Sequence, residues 1–235
     1  MKTTLFLIAV MFSVFANSVS ADLYINEIRI DQVGSDTDEY FELFADGMTI
    51  DLSTYTYLVI GDGTGGSGVI ENATGLTGTL NTDDFFLVAE SSFTLSDASF
   101  VDQTSTLGFE NGDNVTHMLV QDFTGATGDD LDTDDDGTFD VTPWSSIEDS
   151  IAILEEVGGG DLVYSTNTIG PNGTFVPAHV FRDVDGAAGA FQIGNFDPAD
   201  GGDTAGFTNF SGVPEPGSLT VLGLMGLVVA GRRRR

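Results

Sequence analysis

Cysteine is absent from the 235 residues, which excludes a disulfide framework, a thiol nucleophile and any zinc site built on thiolates. Positive charge is almost as scarce. Of seven basic residues, Lys2 and Arg232, Arg233, Arg234 and Arg235 sit at the two ends, so that between Asp22 and Val213 the cations are Arg29 and Arg182, with no lysine. The same stretch carries 36 acids, the chain's 37 less Glu215, an excess of 34 negative charges. Such a surface repels phosphate backbones, and direct nucleic-acid binding is not expected. The two histidines, His117 and His179, lack His-x-x-x-His spacing, so no histidine zinc site is expected either. Long helical periodicity is missing as well.

What is present is enough apolar material for a core: 41% hydrophobic residues, with 18 phenylalanines. Runs of alternating apolarity, divided by turn residues such as Asp62-Gly63, Asn111-Gly112 and Gly158-Gly159-Gly160, are the signature of an all-β domain. Residues 23–30 alternate with one irregularity, which places Leu23, Ile25, Ile28 and Ile30 inward. Further strands are expected at 40–44, 55–60, 69–72, 85–89, 115–122, 150–155, 162–165 and 178–182. The glycine run from Gly61 to Gly68 lacks the lysine of a phosphate-binding loop and no amphipathic helix follows it, so it reads as a plain loop.

The ends read differently. Residues 1–21 comprise Lys2, an apolar run from Leu5 to Phe15 and then Val19-Ser20-Ala21, the pattern of a secretory signal peptide cleaved after Ala21. Residues 213–235 place Pro214, Glu215 and Pro216 before an apolar stretch from Leu219 to Ala230 and the four terminal arginines. Twelve helical residues rise about 18 Å against a hydrocarbon core of about 30 Å. The segment alone is a poor span, lengthened by arginine snorkelling. Its order of elements resembles the PEP-CTERM sorting signal of Gram-negative bacteria. The resemblance implies processing by an exosortase-like enzyme near Pro214-Glu215-Pro216, with membrane anchoring before processing. It also implies a final location in the cell envelope, on the outer surface or in the extracellular matrix.

Between them, residues 22–212 form one domain. Ile25-Asn26-Glu27-Ile28, Asp38-Glu39-Tyr40-Phe41-Glu42-Leu43, and Asp51-Leu52 leading to Tyr57 resemble a bacterial lamin-tail domain, which implies an immunoglobulin-like β-sandwich with long loops. It also implies that Asn26, Glu27, Glu39 and Glu42 tie loops rather than catalyse.

The sharpest local motif is Asp-x-Asp-x-Asp-Gly-Thr-x-Asp at 132–140. Asp132, Asp134, Asp136, Thr138 (through its carbonyl) and Asp140 fall at positions 1, 3, 5, 7 and 9 of an EF-hand-type calcium loop, with Gly137 at the sharp turn. Calcium needs several hard oxygens about one centre, and alternate aspartates on a turning backbone offer them. Pro143 stands where the bidentate acid belongs, leaving Glu148 or Asp149 to complete the shell. The segment locally resembles dockerin and thrombospondin type 3 loops; the alternative is a solvated acidic loop. Trp144 is expected to anchor the core beneath it. No Gly-x-Ser-x-Gly elbow is present, and carboxylates are too abundant for any pair to signal catalysis. The reading is therefore of a non-enzymatic exported module with structural, adhesive or binding contacts to exopolysaccharide or other envelope polymers. A secreted hydrolase accessory and a calcium-dependent polysaccharide-binding module are the alternatives.

Overall fold

Leu23, Ile25, Ile28 and Ile30 all face one interior, each at most 1% exposed, although strict alternation cannot bring Ile25 and Ile28 to the same side. The strand resolves this with a bulge at Asn26. Ile25 pairs with Leu43 and Glu27 with Glu42, leaving Asn26 as the extra residue. In the computed structural model, which describes residues 22–158 and 161–209, this strand is β1 (Asp22–Arg29). The expected signal segment at 1–21 and sorting segment at 213–235, with Pro214, Glu215, Pro216 and Arg232 to Arg235, lie outside the described residues, as do Gly159 and Gly160.

Twelve further strands follow: β2 (Tyr40–Asp46), β3 (Ile50–Asp51), β4 (Tyr55–Gly63), β5 (Gly66–Gly75), β6 (Thr79–Leu80), β7 (Phe85–Ala89), β8 (Val101–Thr104), β9 (Val115–Gln121), β10 (Ser146–Ile153), β11 (Thr168–Ile169), β12 (His179–Arg182) and β13 (Phe191–Ile193). They make a six-stranded sheet in the order β13-β12-β1-β2-β7-β8, a five-stranded sheet in the order β11-β10-β9-β4-β5, and a small β3-β6 pair. Pairing is antiparallel except at β7-β8 and β10-β11. The protein is an all-β sandwich whose inner faces meet in one cluster, where Phe41 of β2 and Tyr57 of β4 stack with ring centroids 3.7 Å apart and planes 3° from parallel.

Both sheets are also covered outside, which explains why Tyr57-Leu58-Val59-Ile60 is a continuous apolar run rather than an alternation. Leu58, Ile60, Met118 and Val120 face outward under Leu131, Phe139, Trp144 and Tyr164. The expected anchoring role of Trp144 is therefore met, its ring meeting Phe139 edge-on at 5.4 Å. On the other sheet, Tyr40, Leu87 and Ala89 lie under Phe93, Leu95 and Ala205.

One expected strand is corrected. Residues 162–165 make no ladder, because their side chains cover the five-stranded sheet instead of extending it. Tyr164 stacks on Phe139 at 4.5 Å, and its N–H donates to the Thr116 hydroxyl at 3.0 Å. The edge beside β10 is taken by β11.

Candidate functional site

The bulge at Asn26 decides where the polar residues of β1 go. With Ile25 and Ile28 inward, Glu27 and Arg29 emerge on the outer face of the six-stranded sheet, yet both are fully buried. The cover is the stretch 195–209, which lies along β1 as a strap. Glu27 Oε1 accepts from Tyr40 Oη at 2.5 Å and the Thr204 N–H at 2.9 Å, and lies 2.7 Å from His179 Nε2. Its Oε2 accepts from the Thr204 hydroxyl at 2.5 Å. Arg29 forks onto Asp203, with Nε 2.6 Å from Oδ1 and Nη2 2.7 Å from Oδ2. Its remaining donors reach the carbonyls of Asp31, Asn195 and Phe196. Glu42 accepts from the Asn26 amide at 2.9 Å and the Gly206 N–H at 2.6 Å, while Asp185 accepts from Asn26 and from the Asn209 N–H, each at 3.0 Å.

Glu27, His179 and Asp203 bring one ligand-type atom each within 4.8 Å of the others, so a metal centre has to be weighed. The donor set does not fit one. Asp203 already faces the Arg29 guanidinium with both oxygens, and Glu27 Oε1 already receives two donors besides its contact with His179. A fixed guanidinium on the same carboxylate opposes a second cation. The seam is a buried polar tie. Burial, reinforced by the charges of Glu27 and Asp203, pushes the Tyr40 phenol well above its ordinary value, and burial followed by the Glu27 charge pushes Glu42 up.

The second arginine is used in the same way. Arg182 of β12 pairs with Asp149 at 2.8 Å, donates to the Ile25 and Gly189 carbonyls, and lies 4.2 Å over the Phe191 ring. Asp149 also accepts from the Ile25 N–H. Burial raises its carboxyl and Arg182 opposes the rise. Both arginines are buried and no lysine lies in the described stretch, so among the described residues no arginine or lysine charge faces solvent. The described surface is acidic and neutral only.

The acidic loop is built against the β4-β5 hairpin. Gly68 adopts φ +88°, and a Cβ there would sit 2.7 Å from the Asp132 Cβ and 2.9 Å from the Tyr164 hydroxyl, so the loop's close approach needs glycine. Asp132 is buried. Its Oδ1 accepts from the Asp136 N–H at 3.2 Å, and its Oδ2 accepts from the Gly137 N–H and Tyr164 Oη, both at 2.8 Å. Burial alone would raise its carboxyl, but these donors outweigh it and the net shift is downward. Asp132, Asp134 and Asp136 converge, one oxygen each within 4.8 Å of the others, about the spread of oxygens lying 2.3–2.6 Å from a shared calcium ion. Their mutual repulsion, Asp136 first, raises Asp134.

Asp140 is not among the converging carboxylates. Asp140 Oδ2 accepts from the Thr133 N–H at 2.9 Å and its hydroxyl at 2.5 Å, and the Thr138 N–H donates to Asp136. Glu148 accepts from the Ser146 hydroxyl at 2.6 Å and Asp149 is held in the Arg182 pair, and neither is among the three carboxylates that converge. Sequence reading missed Arg29, Asp149, Arg182, His179 and Asp203 as the keystones. The signal available was rarity: two arginines among 36 acids.

Three more carboxyls are perturbed. Burial, opposed by the Phe109 N–H and joined by Glu90, raises Glu39 from 4.5 to about 7. Burial and then Asp113 raise Glu71 to about 7, and burial and then Glu110 raise Asp113 to about 6. Glu71 Oε2 and Asp113 Oδ1 are buried without a hydrogen-bond partner. An acid with a raised folded-state value keeps its proton after the unfolded chain has released its own. The folded state therefore binds more protons between about 4.5 and 7, and stability falls as pH rises through that window. The melting temperature should drop from pH 5 to pH 8, with a flatter profile in Glu71→Gln and Glu39→Gln; thermal denaturation against pH checks it, and a rising profile would contradict the assignment.

Compared with family models, with curated proteins and with solved structures, the chain finds no match in any of the three.

Proposed function

We propose that the chain is an exported, non-catalytic surface module of a Gram-negative bacterium, delivered by its signal segment and fixed in the envelope or matrix through exosortase-like handling of residues 213–235. Its sandwich is of the immunoglobulin-like, lamin-tail type and serves structural or adhesive contacts. The observation that carries this reading is the seam: Glu27 and Glu42 accept hydrogen bonds from the strap at 195–209 and are closed off from solvent. Groups so engaged hold loops, the role implied by the lamin-tail resemblance. A surface without an exposed arginine or lysine among the described residues suits a medium rich in divalent cations and disfavours nucleic acid.

Calcium at Asp132, Asp134 and Asp136 is the second part of the proposal, supported by their convergence and by the repulsion that a cation would relieve. Hard carboxylate oxygens in this number fit calcium bound weakly, with water completing the shell. Fractionation of the native host tests the location: the processed chain should appear in the envelope or matrix, and intact protein in the cytosol would sink it. Calcium at a hundred times its dissociation constant should add about 2.7 kcal/mol of stability. Asp134→Ala with Asp136→Ala should abolish that gain in a thermal titration. Asp132 is left in place because three internal donors depend on it.

A further inference from the structure

A cavity of about 490 Å³ opens at one end of the sandwich. Its walls come from segments far apart in the chain: Asp31 after β1, Asn111 before β9, Asn172, Phe175 and Val176 between β11 and β12, and Phe196 after β13. The volume lies within the range of about 300–1,000 Å³ typical of small-ligand sites. Two of its aromatic rings are held open to solvent, Phe175 at 73% exposure and Phe196 at 47%.

Phe175 is not a loose loop residue. A tight turn presents it, with the Asn172 N–H donating to the Phe175 carbonyl at 2.8 Å, the Phe175 N–H returning to Asn172 at 3.3 Å, and Gly173 in the left-handed region at φ +70°. Val176 follows at 6% exposure and fixes the turn to the core. The polar groups on the same walls keep free capacity. The Asn172 side-chain amide makes no hydrogen bond among the described residues, and the Asn111 amide nitrogen makes one long bond to Asp36 at 3.3 Å.

Flat apolar rings beside amide and carboxylate edges suit a ligand with an apolar face and a rim of hydroxyls. Sugar rings have this character. Their C–H faces pack on phenyl rings, and vicinal hydroxyls pair with amides and carboxylates. Charge selects among sugars. With 34 excess negative charges between Asp22 and Val213 and both arginines buried, uronate, sulfate and phosphate groups are repelled. We propose that this cavity binds neutral pyranose units of a polysaccharide. Phe175 and Phe196 supply the stacking faces, and Asp31, Asn111 and Asn172 bond the hydroxyls. The site deepens the adhesive reading above and rests on it for the presence of such a polymer.

The test is affinity electrophoresis of the full chain in mild detergent, through gels containing neutral glucan, mannan or galactan, with alginate as the anionic comparison. Retardation is expected on at least one neutral polymer and none on alginate. Losing one anchoring aromatic should weaken binding about tenfold or more, so Phe175→Ala and Phe196→Ala should each do so. Asn172→Ala should weaken it as well, while Phe100→Ala, which removes an exposed ring paired with Phe207 elsewhere, should leave it unchanged. Phe175→Ala removes a mostly exposed ring, and an unaltered melting temperature will separate lost binding from lost fold. The proposal is overturned by no retardation on any neutral polymer, by retardation that survives both phenylalanine variants, or by stronger retention on alginate. A concentration-dependent dimer abolished by Phe175→Ala, without sugar binding, would assign the cavity to a second copy of the chain and overturn it too. Export is read separately by fractionation: normal sorting without sugar retention removes only the cavity's role, while failed sorting leaves the retention result standing.

Discussion

Asp203→Ala is expected to destabilise the fold by about 3–5 kcal/mol, because it strips a fully buried guanidinium of its carboxylate. Arg29 would keep its bonds to the carbonyls of Asp31, Asn195 and Phe196, none of which carries a countercharge. Tyr40 would lose its contact with Asp203 Oδ1 at 3.1 Å as well. Asp203→Asn, which keeps one acceptor oxygen, should fall between the wild type and the alanine variant. Replacing the pair together, Arg29→Met with Asp203→Leu, should cost less than the two single changes summed, since no charge is then left buried. Chemical denaturation measures each of these variants, the two single changes included. A loss below about 1 kcal/mol for Asp203→Ala would mean that water reaches Arg29 and that the strap does not seal the seam.

The second large effect is in the core. Phe41→Ala should cost about 3–5 kcal/mol, the range for truncating a buried aromatic. Phe41 is fully buried and stacked on Tyr57, so its removal leaves a void between the sheets that neither strand can close. Tyr57→Phe probes the polar side of the same contact. It keeps the stack but removes the hydroxyl, which lies 2.9 Å from His117 Nδ1. Burial holds His117 down to about 3, so a neutral ring nitrogen is left without a partner, at about 1–3 kcal/mol. A Phe41→Ala loss no greater than that of Tyr57→Phe would show that the sheets repack around the gap.

These two regions were not equally legible in the sequence. The interior could be read from β1 because Leu23, Ile25, Ile28 and Ile30 break a two-residue rhythm once, and a bulge is the cheapest way to keep all four inside. The longer strands β2, β4, β7 and β9 lay where apolar runs meet turn residues. The short strands β3, β6, β8, β11 and β13 were missed, since none of them carries an apolar run long enough to show a period. Residues 162–165 show the converse failure. Leu162, Val163 and Tyr164 look like a strand, but an apolar run does not say whether it joins a sheet or lies across one.

In the acidic loop, the spacing of Asp132, Asp134 and Asp136 on a backbone that turns at Gly137 was enough to predict their convergence. The fates of Asp140, Glu148 and Asp149 were not predictable, because each found a nearer donor in Thr133, Ser146 or Arg182.

By itself the sequence determined the all-β class, the acidic surface and the inward set of β1, because these follow from composition and from the period of one strand. Only the tertiary structure decided that Arg29 would meet Asp203, 174 residues away, that Asp149 of β10 would pair with Arg182, and that Phe175 and Phe196 would share a cavity. The physical reason is that burial and pairing of charge are set by which segments cover a sheet's outer face, and no local periodicity encodes that choice.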